Sequence, residues 1–469
     1  MAIPASPLLL FHLLEYNMSK VADNTQRLAA LANDNILPLI TKLALPTIVG
    51  VSVSALYQIL NAFFIGRLGT QAIAAMALTF PFAIAISCIG LCFGTGVASF
   101  ISRFLGAGDN EKASQYALSS IALGAVCAIL LCIFIESFSL QIFSAMGATD
   151  ETLVLSQRYL RWLLIGYVLV VLNMTAGFIT RAEGNTPFSM HTQLAAFISN
   201  AILDPIFIFY FDFGIEGAGI ATLIGQCVSV AMYTVHFSSG RSVINLKAGF
   251  ANGKGLRAIV RVGFPAAINS LLQVISISCL NKIAMNYGDT VIAGVGIASR
   301  LLMVASLPIN GLCMGSQAIV GYNLGARKIQ RVHEVVKTLT LFACGVALLY
   351  TVICFFFSRS MAAFFSTDPH VIAVASLAII IFHISMPFIA LQQVCLMYFQ
   401  SVGIAKTALY ISLLRYMVLT VPLLLILSWY WGITGIYYSL PLADILTGCV
   451  CVLLLRTQLI QMRMQWQQV

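Results

Sequence analysis

Long apolar runs dominate this chain, and short polar gaps rich in Gly, Asp, Lys and Arg separate them. A helix needs about 20 apolar residues to cross the hydrocarbon core of a bilayer. The runs reach that length twelve times, so the pattern predicts twelve transmembrane helices. The predicted spans cover residues 36–65, 72–104, 112–138, 157–181, 189–211, 216–237, 258–286, 291–322, 332–357, 371–400, 406–430 and 433–456.

The distribution of Lys and Arg predicts how these helices are oriented. With a cytoplasmic N-terminus, eighteen of the 25 Lys and Arg fall on cytoplasmic segments, four on outer segments and three within spans. Cytoplasmic loops of membrane proteins carry an excess of these residues. We therefore predict a multi-pass protein of the bacterial inner (plasma) membrane with both termini in the cytoplasm.

The two halves of the chain repeat one another at an offset of about 219 residues. Six spans per half give both halves the same orientation. We therefore predict an all-α integral membrane protein whose two six-helix bundles are related by a pseudo-twofold axis along the membrane normal. Two such bundles can rock about a central cleft, which favours a secondary transporter with alternating access. The matched positions include Pro46 and Pro265, Gly69 and Gly288, Gly96 and Gly315, Leu105–Ala107 and Leu324–Ala326, and Gly184 and Gly403.

The repeat and the longest polar gap divide the chain into five predicted segments. These are an N-terminal cytoplasmic segment (1–35), an N-lobe (36–237), a cytoplasmic linker (238–257), a C-lobe (258–456) and a C-terminal cytoplasmic tail (457–469). The apolar stretch from Leu8 to Leu14 has no basic region before it and no small-residue cleavage site, so it is a poor signal peptide. Translation could begin at Met1 or at Met18.

Composition excludes a soluble protein. Hydrophobic residues make up 60% of the chain and charged residues only 9%, with a mean hydropathy of +0.96, whereas soluble domains carry about a quarter charged residues. The net charge of +9 is explained by the excess of cytoplasmic Lys and Arg, so we expect no nucleic-acid partner. The twelve cysteines are scattered through apolar runs without a His cluster, so we expect apolar filler and no metal site.

Six motifs follow one another along the chain, and two of them are related by the repeat. The motifs are Asn61–Gly69 (NAFFIGRLG), Leu105–Ala113 (LGAGDNEKA), its partner Leu324–Arg327, Arg181–Pro187 (RAEGNTP), Leu203–Pro205 and Gly214–Thr222 (GIEGAGIAT). With this order and this duplication, the chain resembles the MATE (multidrug and toxic compound extrusion) transporters from about residue 36 to 456. The segment after the fourth predicted helix looks more like the bacterial branch of DinF-like and MepA-like drug exporters than the NorM-like branch.

This resemblance implies export of bulky, often cationic drugs and dyes, driven by inward flow of H⁺ or Na⁺. The sequence contains no phosphate-cradling ATP loop, which agrees with ion-driven transport. We expect no cofactor besides the coupling ion. Small-molecule drugs and membrane lipid are the expected partners, and the expected state is a monomer.

Asp204 is the main candidate for ion coupling. Among the 16 acidic residues, only Asp204 and Asp444 fall well inside predicted spans, where a charge is costly and marks function. Pro205 follows Asp204 and removes a helical hydrogen bond, and Asn200 lies one turn earlier on the same face. The resemblance implies that the N-lobe ion site combines Asp204 and Asn200 with Asn173, Thr222 and a residue of the first helix.

The first-helix position is Asn61, where the family carries Asp. Asp204 is then the single carboxylate of the site. Burial favours the neutral form of a lone carboxylate, which suits exchange of one proton. The same amide, hydroxyl and carbonyl oxygens also suit Na⁺, so both ions stay open. The alternative is a structural polar cluster that joins the first, fourth, fifth and sixth helices.

The second half does not repeat this site, so ion coupling is predicted to reside in the N-half. The residues equivalent to Asn61, Asn200, Asp204, Thr222 and Asn173 are Leu280, Leu419, Leu423, Leu440 and Gln392. Gln273 stands where the NorM-like branch is expected to carry an acidic residue.

The remaining candidates, a proline and several polar residues, each have a structural and a functional interpretation. Pro46 is either a static kink or a bending point for gating, since it shares a helix with Asn61. Asp444 has Arg415 as its nearest partner by topology, and the two form either a structural pair or part of a cation-recognition site. Gln392 and Gln273 are further candidates for contact with substrate or for a structural role.

Three other classes of function compete with a drug exporter. A lipid or polysaccharide flippase of the same superfamily usually has more helices and a strongly basic cavity. A channel needs a continuous polar pore, and a membrane enzyme needs a nucleophile–base pair or a metal-ligand set, which this sequence does not supply. We therefore expect a transporter rather than an enzyme.

Overall fold

A computed structural model describes residues 24–245 and 248–467, and their fold is almost entirely helical. Among the described residues, eleven helices are long and apolar enough to span a membrane, and the number is twelve when a bent helix pair is counted as one span. The twelve predicted helices are therefore confirmed. We number them α1 (Ile36–Gly66), α2 (Thr70–Gly106), α3 (Asn110–Ala145), α4 (Asp150–Ala182), α5 (Thr186–Tyr210), α6 (Gly214–Ser238), α7 (Gly253–Met285), α8 (Asp289–Gly325), α9 (Ile329–Phe365), α10 (Pro369–Ile384 and Met386–Val402), α11 (Ala405–Trp431) and α12 (Ile433–Gln467).

The sequence repeat reappears in the backbone. Gly69 and Gly288 precede α2 and α8 with φ angles of 112° and 94°, a region that side chains with a Cβ rarely adopt. Gly108 in the α2–α3 turn has φ 77°, and its equivalent Arg327 has φ 61°. The turn thus keeps its left-handed backbone even where the second half has lost the glycine.

Each lobe has its own apolar core, and large apolar side chains cover the outside. Ile86 and Val171 are fully buried in the N-lobe, as Leu339 and Phe382 are in the C-lobe. Phe364, by contrast, is 85% exposed. Such exposure of large apolar side chains fits a protein surrounded by lipid.

We call one membrane side the basic face, because most Lys and Arg of the loops lie there. It holds the connections that follow α2, α4, α6, α8 and α10. These connections are 107–109, 183–185, 239–252 apart from 246–247, 326–328 and 403–404.

The two lobes touch backbone to backbone toward the basic face. A Cβ added to Gly106 of α2 would lie 2.0 Å from the carbonyl oxygen of Tyr322 on α8, and one added to Gly325 would lie 1.9 Å from that of Arg103. Since these pairs are related by the repeat, the contact is pseudo-symmetric. Glycine is required here because any side chain would push the two helices apart.

The connection between the lobes is anchored to the N-lobe. Ser242 donates a hydrogen bond of 2.6 Å to the carboxylate of Glu183, and the backbone N–H of Val243 donates one of 3.2 Å to its other oxygen. Farther along, the N–H of Ala251 donates to Ser119 of α3. Burial raises the pKa of Glu183, at the end of α4, to about 7.

Several helices are longer than hydropathy predicted. Helix α7 begins at Gly253, so 253–257 are helical rather than linker. Helix α12 continues to Gln467, so the predicted tail after 456 begins as helix, and residues 24–33 are helical as well. Leu8–Leu14 and the choice between Met1 and Met18 lie outside the described residues.

Candidate functional site: a buried carboxylate in the N-lobe

Asp204 lies fully buried near the end of the regular part of α5. The helix continues past Pro205 as a π-helical turn, Ile206–Tyr210, since proline cannot donate the regular helical hydrogen bond. The amide nitrogen of Asn200 donates a 3.2 Å hydrogen bond to Asp204 Oδ1, as expected for residues one turn apart. The second carboxylate oxygen, Oδ2, is buried and has no hydrogen-bond partner among the described residues.

The other predicted site residues do not bond Asp204 directly. Asn61 of α1 donates to the hydroxyl group of Tyr159 at 3.3 Å. Thr222 of α6 shares a 2.8 Å hydrogen bond with the hydroxyl group of Tyr57. Tyr57 and Tyr159 are thus the hydrogen-bond partners of two of the predicted site residues.

Asn173 belongs to a neighbouring pair on α4 and α6. Its amide nitrogen donates to the side-chain oxygen of Gln226 at 2.5 Å and to the Gln226 carbonyl at 3.2 Å. The predicted residues on α1, α4, α5 and α6 are therefore connected in separate small pairs rather than in one hydrogen-bonded cluster.

One feature is common to the four amide and carboxylate residues. Each asparagine uses its N–H₂ group as a donor, and each has a buried side-chain oxygen that finds no partner within the described part of the chain. Buried polar atoms in native proteins nearly always have partners, so unpartnered acceptors are unusual. A proton on the Asp204 carboxylate, or a cation bound to it, would give its free oxygen a partner. In the candidate site, the oxygens without a partner among the described residues are Asn61 Oδ1, Asn173 Oδ1, Asn200 Oδ1 and Asp204 Oδ2.

Sequence reasoning missed the tyrosines. Tyr57 lies one turn before Asn61 on α1, and Tyr159 and Tyr167 lie two turns apart on α4, where both are buried. Tyrosines in membrane helices are usually assigned to the lipid–water interface. The signal that could have found them is their helical spacing from the polar residues of the same helices.

The acidic residue of the C-lobe has a different environment. Arg415 Nη2 lies 2.8 Å from Asp444 Oδ1, and Ser385 donates a 3.1 Å hydrogen bond to Oδ2. Gln392 donates to the backbone carbonyl of Asp444 at 2.6 Å. The contact between Arg415 and Asp444 expected from topology is present, and both carboxylate oxygens of Asp444 have partners.

Two other candidates lie apart from these clusters. Gln273 is exposed on α7, and no hydrogen bond or ion pair joins it to either acidic residue among the described residues. Helix α1 continues without interruption through Pro46. A gating role for Pro46 stays a prediction.

Two repeated six-helix lobes meet at a glycine contact on one face, and the N-lobe contains a buried carboxylate that has no ion-pair partner among the described residues. The sequence model of the MatE family matches residues 46–206 and 265–426, one stretch in each lobe. The chain therefore belongs to the MatE family, and the resemblance read from its motifs is confirmed.

Relatives and solved structures agree with this assignment. The multidrug export protein MepA of Staphylococcus aureus (strain MRSA252) is 30% identical over 417 residues, which cover 88% of this chain and 91% of that protein. The Vibrio cholerae MATE transporter VcmN in its bent form matches with a TM-score of 0.87 at 25% identity, over 94% of this chain and 99% of that one. A crystal structure of MATE in the bent conformation matches with a TM-score of 0.89 at 24% identity, over 94% and 98% of the two chains, and shows the shared fold. These relatives are transporters, so the expectation that the protein is not an enzyme is confirmed.

Proposed function

We propose that this protein is a secondary active multidrug exporter that exchanges bulky, often cationic drugs and dyes for H⁺ or Na⁺. The observation that carries the proposal is Asp204, a buried carboxylate with one oxygen free of any partner in the described chain. The likeness to a multidrug export protein supports the substrate class.

The free oxygens support an ion site in the N-lobe. An ionised carboxylate inside a membrane protein is costly, and a bound H⁺ or Na⁺ would neutralise it. Protonated Asp204 could donate a hydrogen bond to a neighbouring oxygen, while Na⁺ could use the carboxylate together with amide oxygens. Either ion changes the charge of the N-lobe by one unit, which gives transport a step that responds to the ion gradient.

The contact between the lobes supports alternating access. Gly106 and Gly325 hold α2 and α8 together at the basic face. In our proposal, drug release takes place with this face closed, and separation of the two helices opens the site to the other side. The ion bound near Asp204 would bias the exchange between these arrangements.

Orientation and assembly follow from the same reasoning. The excess of Lys and Arg favours a cytoplasmic basic face and cytoplasmic termini in a bacterial plasma membrane. We propose that the transporter acts as a monomer, because one chain supplies both lobes and the complete candidate ion site. Lipid is the expected partner of its apolar exterior.

Replacement of Asp204 tests the proposal. Purified Asp204→Asn protein in liposomes with an imposed pH or Na⁺ gradient should lose ion-driven dye transport while it still inserts and folds. Asp212→Asn is a matched control, because Asp212 is exposed in the turn after α5 and its positive φ of 56° suits asparagine as well. Transport by Asp204→Asn at the rate of wild type and of the control would refute the proposed coupling site.

A further inference from the structure

An open groove of about 540 Å³ lies on the outside of the protein between α3, α7 and α11, near the basic face. It is separate from the carboxylate site of the N-lobe, since α1, α4, α5 and α6 contribute nothing to its lining. Cationic side chains line one part of the groove, and apolar side chains line the rest.

Three cations line the groove: Arg257 and Arg261 on α7, and Lys406 on α11. All three are exposed, and no hydrogen bond or ion pair satisfies any of them within the described part of the chain. Arg257 and Arg261 are four residues apart and therefore share one helix face. No acidic side chain lines the groove as described, so its charge is uncompensated.

The same groove is apolar over the rest of its surface. Leu123 of α3, Leu409 of α11 and Phe264 of α7 line it, and Phe264 is 47% exposed. Phe264 lies three residues beyond Arg261, farther from the α7 end at the basic face. The apolar part of the groove therefore reaches deeper into the membrane than the cations do.

Lys406 adds a second source of positive potential. It lies in the first turn of α11, which begins at Ala405 beside the groove. The N-terminus of a helix carries a partial positive charge that favours anions. This contribution adds to the three side-chain charges at the same end of the groove.

We propose that this groove binds an anionic phospholipid, with its phosphate headgroup among Arg257, Arg261 and Lys406 and its acyl chains along Leu123, Phe264 and Leu409. Basic pockets between membrane helices suit anionic headgroups, and long Arg and Lys side chains reach toward the interface where phosphates lie. A cationic drug would be repelled by three like charges. A small soluble anion would leave the apolar wall unused.

The bound lipid would contact both lobes. Leu123 belongs to the N-lobe, whereas the other residues named here belong to the C-lobe. Tyr116 of α3 also approaches the start of α7 closely, with its ring 2.9 Å from a Cβ built on Gly255. A lipid at this junction would therefore be sensitive to movement of one lobe against the other.

Native mass spectrometry of the purified full-length protein with added phosphatidylglycerol tests the proposal. The variant Arg257→Gln/Arg261→Gln/Lys406→Gln should bind this lipid roughly a hundredfold more weakly, since each cation near the surface favours an anionic lipid. The control Lys42→Gln/Lys337→Gln/Arg456→Gln removes the same charge from exposed positions outside the groove and should bind like wild type.

A third variant tests the apolar half. Leu409→Trp keeps all three cations but fills the space for acyl chains, so it should also weaken binding, while phosphatidylcholine should bind poorly to every variant. If the groove and control variants lost the same amount of lipid binding, the effect would come from general surface charge, and the proposal would be overturned. Displacement of the lipid by inorganic phosphate or glycerol phosphate at similar concentrations would also overturn it, because the apolar wall would then contribute nothing.

Discussion

The glycine contact between α2 and α8 predicts how a single methyl group should shift the conformation of the transporter. In Gly106→Ala the new Cβ would start 2.0 Å from the carbonyl oxygen of Tyr322, whereas ordinary contact begins at 3.4 Å. The obstructing atom belongs to the backbone and cannot rotate away. The two helices must therefore separate by roughly 1.4 Å at this point, the difference between those two distances.

Overpacking of this kind costs about 1–3 kcal/mol. In our proposal the contact exists only while the basic face is closed, so the cost falls on that arrangement alone. The equilibrium should shift toward the open arrangement by roughly 5- to 150-fold. Gly325→Ala should act in the same way, because its Cβ would lie 1.9 Å from the carbonyl oxygen of Arg103.

Hydrogen–deuterium exchange of the full-length protein in lipid nanodiscs measures this shift. Peptides that cover 98–109 and 315–328 should exchange faster in both variants than in wild type. Gly345→Ala is the matched control, since a Cβ at Gly345 of α9 meets no atom within 4 Å. If Gly106→Ala and Gly345→Ala gave the same exchange in these peptides, the α2–α8 contact would not control the closed arrangement.

Three further predictions concern the carboxylates. Asn61→Asp should move the pH profile of efflux upward or increase its Na⁺ dependence, because two nearby carboxylates in a low-dielectric site cannot both ionise readily. Efflux is measured in liposomes across a pH series, with and without Na⁺. Identical profiles for wild type and variant would place Asn61 away from Asp204. Arg415→Met or Asp444→Leu alone should lower the free energy of unfolding by about 3–5 kcal/mol, whereas the double variant should recover most of the loss. Thermal unfolding in detergent measures these changes. If the losses of the two single variants were additive in the double variant, Arg415 and Asp444 would not stabilise each other. Burial raises the pKa of Glu183 to about 7, against an ordinary pKa of 4.5, so wild-type stability should fall as pH rises between these two values. Glu183→Gln should flatten that slope in melting curves.

Hydropathy and the internal repeat predict most of this fold. The spans could be found because each lipid-facing helix is apolar over its whole membrane length. The offset could be found because glycines such as Gly69 and Gly288 are held by backbone geometry, which changes little after duplication. The ends of α7 and α12 could not be placed, since Gly253 and Gln467 lie in helix that extends beyond the hydrophobic region.

The sequence names candidate site residues by their type, but it does not predict their hydrogen-bond partners. Asn173 contacts Gln226, and Asn61 contacts Tyr159 rather than Asp204. Which partner an amide finds depends on how its helix is rotated and on which way the amide group points, and neither property is encoded in spacing along one helix. The tyrosines were missed for the related reason that a hydroxyl group can serve either the interface or a buried site.

The two acidic residues inside the membrane explain why only one lobe should carry the coupling ion. Asp444 is neutralised by Arg415, so a proton or Na⁺ arriving there would leave a buried guanidinium without its partner, at considerable cost. Asp204 has no cation bound to it among the described residues and keeps an oxygen free, so an arriving ion lowers the cost of its burial. The two lobes are related by the repeat, but Leu423 stands at the position equivalent to Asp204. The second lobe therefore lacks that carboxylate. We therefore expect ion binding to act on the N-lobe and to reach the C-lobe through the packed α2–α8 contact.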